Sequence, residues 1–231
     1  MNKTRLIGEA RVTHHLVRAG EISYQPAYQG HGSGFSRAAV VDRACGSTHT
    51  ALGLCALEAG GHVDLHVQSF EELFYITEGH PTLVMDGRGH PMQPGACGVI
   101  PIGTPHGWIG PKDGTARWID MLTPIPRDEG PADIFFVGAV GEVESEPLDI
   151  RDPRTRHFFR MGEDDIDVEK LKIGARVDAP TVSASMATAL LAYSGIAVKM
   201  LVDQRMSAAL ATMFMVEYQK GGIAHPHDHP L

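Results

Sequence analysis

The chain has 231 residues, 43% hydrophobic and 21% charged, with a formal net charge of −8 when histidine is neutral. That length can bury one large core or two small ones, while the acidic balance argues against nucleic-acid or anionic-membrane partners, which need basic patches. No run of about 18 apolar residues marks a membrane-spanning helix, and three cysteines (Cys45, Cys55, Cys97) without metal-like spacing read as reduced thiols of a cytoplasmic protein.

In chain order, Ala10–Val17 and Glu21–Tyr24 are β-prone, and Gln29–Ser36 (QGHGSGFS) reads as a glycine-dense loop. The pair His14-His15 reads as a surface feature. Strand character follows at Ala38–Asp42 and Thr48–Glu58. In the second of these, Leu52, Leu54 and Ala56 alternate with Gly53, Cys55 and Leu57, so both faces are expected to be covered.

Gly60–Gly79 reads GGHVDLHVQSFEELFYITEG. Side chains two apart on a strand share a face, so His62, Asp64, His66 and Gln68 are expected on one side and Val63, Leu65 and Val67 on the other. A buried polar row is costly unless something binds it, and a divalent metal would satisfy it. An unpaired buried carboxylate at Glu72 carries the same implication.

Beyond it, Pro81–Met85 and His90–Met92 flank Asp86-Gly87-Arg88-Gly89, a strong hairpin signal. A short apolar strand at Ala96–Ile100 leads to PIGTPHGWIG, a bend that delivers His106, and Arg117–Leu122 returns as a further strand. Short strands with tight turns predict an all-β barrel or sandwich. From 123 to 180, prolines recur (Pro124, Pro126, Pro131, Pro147, Pro153) and acids cluster, as in a connection between domains. A short helix is expected over Glu163–Leu171, its first-turn acids suiting the helix dipole. Strand signals resume at Ala197–Val202 and Ala211–Tyr218.

The last segment repeats an earlier one. Setting Gly221-Gly222 on Gly60-Gly61 puts His227 opposite His66 and His229 opposite Gln68, with Met213 and Met215 over Leu52 and Leu54. Such repeats indicate duplicated units. The second unit shows only its first strands, so the sequence reads as one cut within that unit.

Two spaced motifs support a resemblance. Gly60-x5-His66-x-Gln68-x3-Glu72-x6-Gly79 resembles the first cupin motif and Gly95-x5-Pro101-x-Gly103-x2-His106 the second, fifteen residues apart. The resemblance implies a jelly-roll antiparallel β-barrel over 38–122, preceded by an N-terminal arm (1–37) and followed by a linker (123–180). It also implies the start of a second cupin in 181–231, as in a bicupin. It further implies a divalent transition metal (iron, manganese, nickel or zinc) held by His66, Gln68, Glu72 and His106, with His227 and His229 in an incomplete second site. Gln68 stands where the family usually has histidine, and Gly110 where it usually has asparagine. His62, Asp64, Phe74 and Trp108 are the candidate pocket-lining residues.

The expected function is that of a metal-dependent bicupin enzyme on a small polar metabolite, with dioxygenase-like O2 chemistry as the leading reaction type. Oxalate decarboxylase-like or ureidoglycine aminohydrolase-like chemistry is an alternative, as is a non-catalytic ligand-binding or sensor cupin, the reading Gln68 favours. The partners expected are a small-molecule substrate and a second copy of the chain, in a homodimer.

Overall fold

The computed structural model describes residues 15–127, 133–145, 147–148, 152, 155–162, 165–167, 169 and 194–224. Eleven strands form one antiparallel sheet and a separate pair forms a hairpin. The strands are β1 (Gln25–Pro26), β2 (Gly32–Val41), β3 (Ala51–Gln68), β4 (Glu71–Glu78), β5 (Thr82–Met85), β6 (Arg88–Pro91), β7 (Ala96–Ile100), β8 (His106–Ile109), β9 (Thr115–Thr123), β10 (Ile134–Gly138), β11 (Phe158–Arg160), β12 (Ile196–Val202) and β13 (Met213–Tyr218). The sheet order is β11-β7-β4-β9-β3-β8-β5-β6, with β2 and β10 also pairing with β3.

β3 organises the barrel. Its first half pairs with β9 and its second half with β8, so one 18-residue strand serves both walls. Gly60 at φ +69° and Gly61, where a Cβ would lie 2.6 Å from the Ser33 carbonyl oxygen, allow the passage between them. The Asp86-Gly87 turn closes β5 on β6 with both residues at positive φ, as the sequence predicts. The core fills the barrel with Phe35, Leu57, Phe74, Ile76, Trp108 and Trp118.

Four local expectations change. Gly32–Ser36 belongs to β2 rather than to a loop, because its glycines let the strand lie close on β3: a Cβ at Gly32 would meet the His62 carbonyl oxygen at 2.7 Å. Glu21–Tyr24 is not extended strand; Ala19–Glu21 forms a 3-10 turn and pairing begins at Gln25. Within the proline-rich 123–180, β10 and β11 join the sheet against β3 and β7. Finally, β3 carries a bulge: Val63 pairs with Trp108 but His66 with His106, three steps against two. The extra residue reverses the parity of the strand. His66 and Gln68 are therefore buried with Val63, while His62 and Asp64 face outward. The helix expected over Glu163–Leu171 falls mostly outside the described residues, as do His14, His227 and His229. His15 is exposed, its Nε2 2.6 Å from the Val40 carbonyl oxygen.

The β12–β13 hairpin packs on the outside of the barrel. Leu201, Val202 and Ala208 cover Leu73, Cys97 and Val99. Beside this contact the Glu71 carboxylate, 2% exposed, accepts hydrogen bonds from the backbone of Ala209 (2.7 Å), Leu210 (3.1 Å) and Ala211 (3.2 Å).

This hairpin duplicates the β2–β3 hairpin in register. Phe35↔Leu57, Arg37↔Cys55, Ala39↔Gly53 and Val41↔Leu52 recur, each residue 161 positions on, as Ile196↔Tyr218, Val198↔Val216, Met200↔Phe214 and Val202↔Met213. The bulge recurs at the same step, and so does the connecting 3-10 turn. Asp42 and Asp203 cap these turns from the N-terminal side, and Gly46 and Ser207 end them in the left-handed region. The repeat seen in the glycines is thus a repeat of backbone geometry across 35–57 and 196–218.

Candidate metal centre

Three strands bring the four motif residues together inside the barrel. β3 supplies His66 (2% exposed) and Gln68 (3%), β4 supplies Glu72 (7%), and the first residue of β8 is His106 (0%). The two imidazole centroids are 4.1 Å apart. His106 Nε2 lies 3.9 Å from Glu72 Oε2, and Gln68 Nε2 donates to the same oxygen at 3.2 Å.

The backbone fixes both rings. His66 Nδ1 donates to the Asp64 carbonyl oxygen at 2.8 Å and His106 Nδ1 to the Thr104 carbonyl oxygen at 2.9 Å. A proton held on Nδ1 leaves Nε2 as a lone pair, the tautomer that a metal ligand needs. Asp64 thus orients His66 through its carbonyl. Its carboxylate faces outward, 3.7 Å from His62 Nε2 and 3.9 Å from His31 Nδ1.

Burial sets the electrostatics. Loss of solvent, then the neighbouring Asp120 charge, pushes the Glu72 carboxyl up to about 7, against the smaller downward pull of the Gln68 hydrogen bond. Burial, then the adjacent His66, lowers His106 to about 3; burial also lowers His66. At neutral pH both imidazoles are neutral donors of a lone pair.

His106 Nε2 and Gln68 Oε1 are buried without a hydrogen-bond partner. Such atoms cost free energy unless something meets them. Among the described residues no three His, Cys, Asp or Glu side chains stand close enough to form a metal cluster by themselves. The fit to a cation therefore lies in donor chemistry: an orphaned imidazole nitrogen and an orphaned amide oxygen beside a carboxylate, the amide standing where a further imidazole would complete the set.

Four residues that the motifs do not mark share this space. Arg37 Nε and Nη2 donate to Asp120 Oδ2 and Oδ1 at 2.6 and 2.7 Å, and the Cys55 thiol points at Asp120 Oδ2 from 3.3 Å. Tyr28 closes the space from the N-terminal arm. A signal existed for Asp120, an acid in step with Trp118 and Leu122 on an otherwise apolar strand face; none existed for Tyr28. Of the expected lining residues, Trp108 lines the interior space, Phe74 packs edge-on against Trp108 (5.4 Å, 89°), and His62 and Asp64 lie on the outer face. Gly110, where the family usually has asparagine, runs against the Glu58 and Gly61 carbonyl oxygens, so no side chain fits there.

Arg37 lies flat over Gly53, where a Cβ would come 2.5 Å from the guanidinium carbon. Gly53→Ala is expected to push Arg37 off Asp120 and cost about 3 kcal/mol in denaturant unfolding, the scale for a buried charge losing its partner. In an Arg37→Met background the same substitution should cost far less. Additive losses would show that the two residues do not act through one contact.

Residues 53–122 are similar to the family described as Cupin domain. Among solved structures, the polyketide cyclase RemF from Streptomyces resistomycificus aligns at TM-score 0.48 and 20% identity, over 55% of this chain and 88% of its own. A predicted oxalate decarboxylase from Thermotoga maritima aligns at TM-score 0.43 and 19% identity, over 48% and 99%. A cupin-superfamily sugar phosphate isomerase from Silicibacter pomeroyi aligns at TM-score 0.41 and 26% identity, over 48% and 76%. No curated protein matches the chain by sequence. No helix of the described residues is long and apolar enough to cross a membrane.

Proposed function

We propose that the barrel is a metal-dependent enzyme acting on a small polar organic metabolite, with dioxygenase-like O2 chemistry as the leading reaction type. The observation that carries this reading is the pair of buried, partnerless acceptors, His106 Nε2 and Gln68 Oε1, beside Glu72. His66, Glu72 and His106 would hold a divalent transition metal, with the Gln68 amide oxygen as a weaker, harder donor. Such an ion would supply Lewis-acid chemistry toward a bound substrate or O2.

The chain's own groups define what happens around it. The Asp64 and Thr104 carbonyl oxygens keep the proton on Nδ1 of each histidine. Without an ion, burial holds the Glu72 carboxyl at about 7; as a ligand it would be held ionised by the cation. Phe35, Trp108 and Trp118 line the interior with apolar surface, and the Arg37–Asp120 pair keeps a fixed dipole at its edge.

Metal analysis of protein purified without added metal tests the proposal. Near-stoichiometric transition metal is expected, lost in His106→Ala, and an O2-uptake screen with catechols, diketones and hydroxylated aromatics then separates oxygenase from hydrolytic chemistry. A metal-free barrel whose stability does not respond to added zinc, manganese or iron would overturn it. Gln68 supports one other reading, a non-catalytic cupin that binds a small ligand; metal content without turnover of any substrate tried would favour that one.

A further inference from the structure

The free space beside Glu72 measures about 10 Å³, room for one water molecule or ion. No organic metabolite fits there while Tyr28 is in place. The Tyr28 ring stacks on Phe35 (centroids 5.4 Å, interplanar 11°), meets Phe136 edge-on (5.6 Å, 71°) and leans on His66 (5.5 Å, 47°). Its hydroxyl end lies among Glu72, Cys55, Asp120 and Arg37, the polar end of the barrel interior. A place with one stacking aromatic face, an aromatic edge and a polar floor is thus filled by a phenol that belongs to the chain.

The strand that carries that phenol is short and its turn is strained. β1 pairs with β2 through Gln25↔Arg37 and Pro26↔Ser36, both β1 residues exposed; beyond it the Ala27 amide donates to the Phe35 carbonyl oxygen at 3.3 Å and the Asp64 amide to the His31 carbonyl oxygen at 2.9 Å. Tyr28 itself has φ +55°, a left-handed conformation that a bulky residue rarely adopts, and Gly30 follows at φ +84°. The turn is closed by the His31 amide donating to the Tyr28 carbonyl oxygen at 2.8 Å, and His31 stacks on Phe136 at 4.0 Å.

We propose that Tyr28 occupies the place of the site's ligand, and that the site takes a single planar hydroxylated ring, a monocyclic phenol, when residues 25–31 lift away. The ring would lie between Phe35 and Phe136 with its hydroxyl toward Glu72. A substituent para to the hydroxyl would leave through the mouth, where the Tyr28 backbone now lies. A saturated ring of the same size would lose the stack on Phe35 and the edge contact with Phe136. This names the substrate class of the centre described above and rests on that reading only for the use to which the bound ring is put.

The test uses p-cresol and 4-methylcyclohexanol as probes on chelator-treated protein, read by the emission of Trp108 and Trp118, which line the same space. Tyr28→Ala is expected to bind p-cresol about tenfold or more tighter than the unaltered chain, the factor that a mostly closed plug imposes on apparent affinity. It should also prefer p-cresol over the saturated ring by a similar factor. In the unaltered chain, saturating p-cresol should speed hydrogen exchange at the Ala27 and His31 amides. Unchanged exchange at those amides, or equal affinity for the two probes, would make Tyr28 a fixed part of the wall and overturn the proposal. Tyr28→Leu serves if the alanine variant does not fold. Because the probes are read without metal, failure of the metal reading leaves this result standing, and metal content without p-cresol binding would overturn this proposal alone.

Discussion

Glu72→Gln is expected to stabilise the metal-free protein at pH 8 and to leave it unchanged at pH 4. The Glu72 carboxyl titrates at about 7 in the folded chain because burial penalises its charge, against a reference value of 4.5. Below the reference value both states carry the proton and the group contributes nothing. As pH rises toward 7 the unfolded chain releases its proton while the folded chain keeps it, so stability falls with pH. Above 7 the full penalty is present, about 3 kcal/mol from the size of the shift. Glutamine keeps the shape and carries no such penalty. His106 works in the opposite direction: its lowered value removes stability as pH falls below the ordinary histidine range. That contribution is common to both variants and cancels in their difference. Denaturant unfolding in chelator from pH 4 to 9 should show the difference opening between 4.5 and 7. With saturating divalent metal the sign should invert, because the ion meets the charge that glutamine lacks. A difference that is flat with pH would mean that the carboxylate is not desolvated.

Glu71→Ala is expected to free the β12–β13 hairpin without unfolding the barrel. The Glu71 carboxylate is the buried acceptor for three consecutive backbone amides of the hairpin's turn, at Ala209, Leu210 and Ala211. Removing it strips a charge-assisted contact and leaves buried donors unmet, a loss of about 3 kcal/mol. Hydrogen exchange in 196–218 should accelerate roughly a hundredfold, as that energy implies, while β4, β7 and β9 keep their protection. The face beneath, with Leu52, Tyr75, Ile119 and Met121, should then bind an apolar dye. Uniform loss of protection throughout the chain would show that the hairpin and barrel unfold as one unit.

The grouping of the four motif residues in one interior was legible because spacing carries it. His66, Gln68, Glu72 and His106 follow from two motifs, and the Asp86-Gly87 hairpin from the demand for positive φ at both turn positions. What the spacing could not carry is the bulge between Val63 and His66. Period-two counting assumes an unbroken strand, so His62 and Asp64 were placed on the inner face, whereas the inserted residue turns them outward. Tyr28 was illegible for another reason: it reaches the barrel from a short arm whose sequence has no periodicity. Glu71 left a trace, an acid on the outward face of an apolar strand, but its partners are backbone amides 138 to 140 positions away, which no side-chain pattern reveals. The glycines of Gly32–Ser36 suggested a loop because glycine marks turns in sequence; here they admit close approach of two strands.

The duplicated hairpins bear on how the chain avoids mistaking one half of itself for the other. Two ribbons with the same register and the same bulge could trade places against β9 during folding, since backbone pairing alone does not tell them apart. Side chains do. Where β2 offers Arg37 to the buried Asp120, β12 has Val198 at the matching position, and where β3 offers Gly53 as the floor for that arginine, β13 has Phe214. An exchanged ribbon would strand the Asp120 carboxylate in the barrel with no cation and press a phenyl ring into the space the guanidinium needs. The Arg37–Asp120 pair is thus a contact that the wrong ribbon could not satisfy.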